Sequence, residues 1–170
     1  MNEAHMHLLV NHFPIIGLIL GTLVLILGIL LKSDATRNTA AFLLLVSTIF
    51  AIPAFTSGEG AEEIVEHMPG MDRETHHLIH EHEERAETFM FFAYGIIALS
   101  VVALFAGLTK KKWGIYVHFV TLLVALGGCF MANEVGKSGG QIAHLESREN
   151  FKAPEDHHEH HEEGEHDDHD

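Results

Sequence analysis

The sequence predicts an all-α fold: a polytopic bundle of four transmembrane helices with an extracytoplasmic helical connection and a disordered acidic, histidine-rich C-terminal tail. Three observations predict it. The chain has 170 residues, 47% of them hydrophobic, and the apolar residues fall into blocks too long for a soluble core, at about 8–31, 39–57, 88–109 and 113–133. Runs of roughly 18 to 24 residues match a hydrocarbon layer ~30 Å thick at 1.5 Å of helix rise per residue. The basic residues gather in two short connections, Lys32 with Arg37 and Lys110 to Lys112. Finally, Glu155 to Asp170 comprises nine acids, six His and one Gly, a composition that cannot bury a core. Residues 1–150 therefore read as the membrane domain and 151–170 as the tail.

The first span is N-terminal and apolar, as a signal peptide is. Its first six residues contain Glu3 and no Lys or Arg, and no small-x-small pattern closes the run, so it is expected to stay. Pro14 lacks an amide proton and suits a first turn, which predicts that the regular helix begins, or kinks, near Asn11. His12 then sits at the outer interface. Gly17, Gly21 and Gly28 share one face and predict close helix packing.

The second span is the shortest and is interrupted by Pro53, with Ser47 and Thr48 placed to satisfy backbone around a kink. It is expected to leave the membrane at Thr56 to Gly60. Ala61 to Met68 is helical in pattern, Pro69-Gly70 reads as a turn, and Asp72 as the N-cap of a helix running without a break to Leu108. Phe89, Phe91, Phe92 and Tyr94 at one end, with Trp113 and Tyr116 at the other, predict aromatic belts at both interfaces. His118 enters the fourth span from the lysine-bearing side and reads as a hydrogen-bonded packing residue. Glu134, Gly136, Ser138-Gly139-Gly140 and His144 are placed beyond the span.

The basic connections predict a cytoplasmic location for that side and an extracytoplasmic one for both termini, in an inner (cytoplasmic) membrane. The formal charge of −14 then belongs almost wholly to the outer face. Such a field concentrates cations and repels phosphate, which excludes nucleic acid as a partner. Cys129 is the sole cysteine and lies in the fourth span, so an intrachain disulfide is impossible. Enzyme status is left open by the residues: there is no P-loop and no outer cysteine.

The chemistry gathers in Thr75 to Glu87, which reads Thr-His-His-Leu-Ile-His-Glu-His-Glu-Glu-Arg-Ala-Glu ahead of the third span. His76, His80 and Glu84 fall on one helical face at i, i+4 and i+8, with His82 on an adjacent face. His12-Phe13-Pro14, Ile52-Pro53-Ala54-Phe55-Thr56-Ser57-Gly58, His82-Glu83-Glu84 and Ser138-Gly139-Gly140-Gln141-Ile142-Ala143-His144 together resemble the bacterial inner-membrane family catalogued as domain of unknown function 2231. The resemblance covers about Met6 to His144. It implies a four-helix membrane bundle with polar motifs on the extracytoplasmic side and implies no reaction.

Three functional readings follow from the residues. The favoured one is a small b-type electron-transfer subunit in which haem b is ligated by His12 and His82, with Glu59, Glu63 and Glu83 hydrogen-bonding the far ring nitrogens. Its partners would be redox or membrane-complex subunits, for example between a quinol and a periplasmic protein. The alternative is an accessory protein binding Cu, Zn or Ni through His76, His80 and Glu84, completed by His5, His7, His67 or His144, with the tail collecting ions. A non-catalytic assembly subunit, including a homo-oligomer, is the third possibility.

Overall fold

A computed structural model describes residues 2–66 and 73–148. Six α-helices are present among them: α1 (Glu3–Val10), α2 (His12–Leu30), α3 (Asp34–Ile49), α4 (Ala51–Glu66), α5 (Arg73–Leu108) and α6 (Gly114–Ala143), followed by one 3-10 turn at Leu145–Ser147. No strand occurs among these residues. α1 with α2 and α3 with α4 form two long, interrupted rods, so that four rods in all are long and apolar enough to cross a membrane.

The two interruptions have one cause. A proline ring clashes with the carbonyl four residues before it and offers that carbonyl no N–H. For Pro14 the affected residue is Val10, where α1 ends; for Pro53 it is Ile49, where α3 ends. The expected kink at Asn11 is therefore present, but helix exists on both sides of it. The short helix above the kink, α1, packs against α4, the segment above the second kink.

Within the bundle the close contacts are made by small residues. Gly17 abuts the Ser47 side chain; a Cβ on Gly21 would lie 2.8 Å from Leu44 Cδ2 and one on Gly28 2.8 Å from the Arg37 backbone nitrogen. The shared face of these glycines is thus the α2–α3 seam, as their spacing predicts. α5 and α6 are antiparallel neighbours, with Gly114 against Ala106 at one end and His82 against Ser138 at the other. The buried core is Leu18, Leu25, Leu44 and Ile96 among many alanines, whereas Leu23, Phe42, Phe91, Tyr94, Phe105, Leu123 and Phe130 face outward. Small residues inside and large apolar ones outside suit a bundle solvated by lipid.

Two segments placed beyond the membrane spans are helical. α4 runs unbroken through Thr56 to Gly60, where Gly58 and Gly60 admit His7 and Glu3 of α1. α6 likewise continues past Asn133 to Ala143, so that the Ser-Gly-Gly motif lies on the same helix as the fourth span. The continuous third helix to Leu108 is present. The Pro69-Gly70 turn, the Asp72 cap, His67, Met68, Met71 and the tail fall outside the described residues.

Candidate paired-histidine site

The proline breaks set up the site. Because α1 begins at Glu3 and stands above the kink, His7 is raised one and a half turns, about 7 Å along the axis, above His12. That puts it beside His82 of α5: the two ring centroids are 6.3 Å apart and the ring planes 87° to each other.

Each imidazole is fixed by a different helix. His7 Nδ1 lies 2.8 Å from the Ala54 carbonyl of α4. A carbonyl only accepts, so Nδ1 donates, and in a neutral ring the lone pair is left on Nε2. His82 Nδ1 lies 2.9 Å from Ser138 Oγ of α6. Ser138 has one hydroxyl hydrogen, and it is directed at the carbonyls of Glu134 and Val135, 3.1 and 3.0 Å away. Its oxygen therefore accepts from His82 Nδ1, and His82 too keeps its lone pair on Nε2. Two glycines let the rings in: a Cβ on Gly58 would stand 3.2 Å from His7 Cε1, and one on Gly139 3.2 Å from His82 Cε1. Ser57 and Ser138, each preceding one of these glycines, are both buried.

His82 precedes the uncharged part of α5, which begins at Thr88. Burial, and then the neighbouring His7, push its pKa below the ordinary imidazole value of 6.5. A depressed imidazole pKa means that the unfolded chain binds the proton more readily. The contribution of the neutral ring to stability is thus full above about pH 6.5 and is lost as pH falls below it. The protection factors of amides at the α5–α6 junction around His82 and Ser138, corrected for the intrinsic slowing of exchange with falling pH, are expected to fall on acidification from pH 7 to 5 in the wild type and to change much less in His82→Gln.

The remaining candidates are distributed as follows. His12 is exposed in an apolar groove between α2 and α3 with Phe13, Ile16, Val46 and Phe50, and Phe13 stacks on Phe50 at 5.3 Å. The ring brought to His82 is therefore that of His7, which the sequence placed in the metal set. Glu83 faces His80 at 3.6 Å, and Glu59 and Glu63 are exposed on α4, while the Nδ1 partners of the central pair are a carbonyl and a hydroxyl. His76, His77 and His80 line a shallow hollow with Arg73, and His80 Nε2 is 3.5 Å from Glu84. His5 is exposed on α1, and His144 is exposed and contacts Glu146 at 3.2 Å. Among the described residues no three His, Cys, Asp or Glu side chains come together as a metal-ligand group.

Sequence reasoning had named the Ser138-Gly139 motif without giving it a task. Its task depends on the antiparallel register of α5 and α6, which composition does not encode. The chain matches no protein-family model, no curated protein and no solved structure. The site thus rests on its own geometry.

Proposed function

We propose that the chain is a multi-pass inner-membrane protein whose His7–His82 pair binds b-type haem at the extracytoplasmic face, as a small electron-transfer subunit. The observation that carries this reading is the shared arrangement of the two imidazoles, each with Nδ1 within hydrogen-bond distance of a partner on another helix, the Ala54 carbonyl and the Ser138 hydroxyl. A metal-ligating histidine characteristically gives its other N–H to such a partner, which fixes the tautomer and raises basicity. The two rings stand with centroids 6.3 Å apart and planes 87° to each other, and His7 and His82 are the residues that would hold the haem.

The number of ligands favours haem over a closed zinc site. A structural zinc takes four protein ligands, whereas haem iron receives four from its macrocycle and needs two. Bound there, haem would supply reversible one-electron transfer, and the protein's part is to hold the two rings neutral and in place. The motifs Ser57-Gly58, His82 and Ser138-Gly139 all border the pair. The lysine-bearing turns at Lys32 and Lys110 to Lys112 support a cytoplasmic location for the opposite end.

Capture of Cu, Zn or Ni on the outer face of α5 draws support from the approach of His80 to Glu84, and Arg73 beside the same histidines works against it. Protein produced with added haem, purified in mild detergent and assayed as the pyridine haemochrome, should carry about one haem per chain. A preparation with less than a tenth of that, together with a bound transition metal by elemental analysis, would replace haem by the metal reading.

A further inference from the structure

The opposite end of the bundle holds three buried polar groups on three helices that the paired-histidine site does not use. They are Arg37 on α3, 9% exposed, Ser100 on α5, 0%, and His118 on α6, 4%. Arg37 Nε, Ser100 Oγ and His118 Nδ1 are each buried without a hydrogen-bond partner, and among the described residues only Asn11 Oδ1 shares that condition. The expectation that His118 is a hydrogen-bonded packing residue thus fails at its Nδ1.

Asn38 abuts Gly107, so Arg37 stands about two turns, roughly 12 Å, nearer the lysine-bearing end than Ser100, with His118 between them in height. With Gly114 seated on Ala106, the antiparallel register places His118 level with about residue 102 of α5, half a turn from Ser100. Arg37 is within electrostatic reach of His118, as is Asp34. Arg37 is itself held at the end of the bundle, with one terminal nitrogen ion-paired to Asp34 and the other 3.5 Å from the Gly28 carbonyl.

Ser100 differs from every comparable hydroxyl. Buried Thr22, Ser47, Thr48, Ser57, Thr121 and Ser138 each donate to a carbonyl one turn back on their own helix. That is the usual way a hydroxyl is accommodated in a membrane helix. Ser100 makes no such bond. A buried polar atom without a partner costs on the order of 1 to 3 kcal/mol. Here three occur in one half of the bundle, where lipid offers nothing to bond.

We propose that Arg37, Ser100 and His118 form a hydrated, protonatable site in the lysine-side half of the bundle, in which internal water bridges the three side chains and exchanges a proton with His118. Arg37 Nε–H donates at one end of this water and Ser100 donates and accepts at the other, with His118 Nδ1 between them, so more than one water is needed to span the three. A proton arriving from bulk water adds to the imidazole lone pair, leaving water behind, and returns by the same route. The charged groups facing His118 are Arg37 and Asp34 from α3; the uncharged stretches of α2 and α5 packed around it contribute none, and Lys110 to Lys112 stand in the adjoining turn. Asp34, largely exposed, connects Arg37 to the solvent on that side.

The test uses the full chain in lipid nanodiscs with 15N-labelled histidine. His118, assigned by its loss in His118→Asn, should show a water-to-imidazole magnetisation-transfer peak and a titration that shifts by at least half a pH unit in Arg37→Gln. Ser100→Ala should weaken the water peak at least threefold and lower the unfolding temperature. If the pocket is dry, the water peak is absent in the wild type and Ser100→Ala, which then only removes an unpaired hydroxyl, raises the unfolding temperature. Either of those results overturns the proposal. Should His118→Asn fail to fold, the Ser100→Ala comparison of water peak and unfolding temperature decides by itself.

Discussion

Replacing His82 by Ala should abolish haem binding, leaving less than a tenth of the wild-type absorbance at the reduced α-band per mole of protein. The expectation follows from ligand number, because two imidazoles border the site and no third His, Cys, Asp or Glu joins them among the described residues. Loss of the Ser138 hydroxyl should act more gently. Ser138→Ala removes the acceptor 2.9 Å from His82 Nδ1, so the ring keeps its ligating nitrogen but loses its anchor. The change should weaken haem affinity about 10- to 100-fold, the range found when such outer partners are removed, and shift the reduction potential. Helix content measured by circular dichroism should be unchanged in both variants, since neither substitution removes a backbone–backbone hydrogen bond.

The largest expected effect on stability lies at the α2–α3 seam. Gly28→Leu puts a Cβ 2.8 Å from the Arg37 backbone nitrogen and 3.1 Å from the Thr36 carbonyl carbon, and neither backbone atom can swing away as a side-chain tip would. Overpacking of this kind costs about 1 to 3 kcal/mol or more. The same contact supports Arg37, whose guanidinium reaches the Gly28 carbonyl, so the variant should also loosen the polar cluster beside it. Gly140→Ala is the matched control. A Cβ there meets nothing within 4 Å, and the exchange should be neutral or stabilise α6 by up to about 1 kcal/mol through helix propensity. Thermal unfolding in detergent, followed by ellipticity, separates the two: a marked fall for Gly28→Leu and no fall for Gly140→Ala.

The bundle is legible in the sequence because lipid imposes so narrow a grammar. Uncharged runs, the lysine-bearing turns and the Gly17, Gly21 and Gly28 stripe each translate directly into helices and a seam. The site is legible only in part. His82 is conspicuous beside the third span, but its partner depends on where helix resumes above a proline. Reading Pro14 as a start places His12 at the interface; the observed helix on both sides of the break lifts His7 into that role instead. Glycines mislead for a related reason. Gly58 and Gly60 look like an exit from the second span, yet both sit inside α4, where the absence of a side chain admits His7 and Glu3 from a neighbouring helix. Carboxylates near a histidine suggest hydrogen-bond acceptors, but once the helices are in register the acceptors nearest the rings are the Ala54 carbonyl and the Ser138 hydroxyl.

The decisive measurement is the reduced-minus-oxidised visible spectrum of His7→Ala set against that of His12→Ala, each in the full chain and normalised to protein. Ligation by His7 and His82 requires that His7→Ala lose the sharp α-band and that His12→Ala, altered only in a lipid-facing groove, keep at least four-fifths of it. A band that survives in His7→Ala and vanishes in His12→Ala would contradict the pairing of His7 with His82.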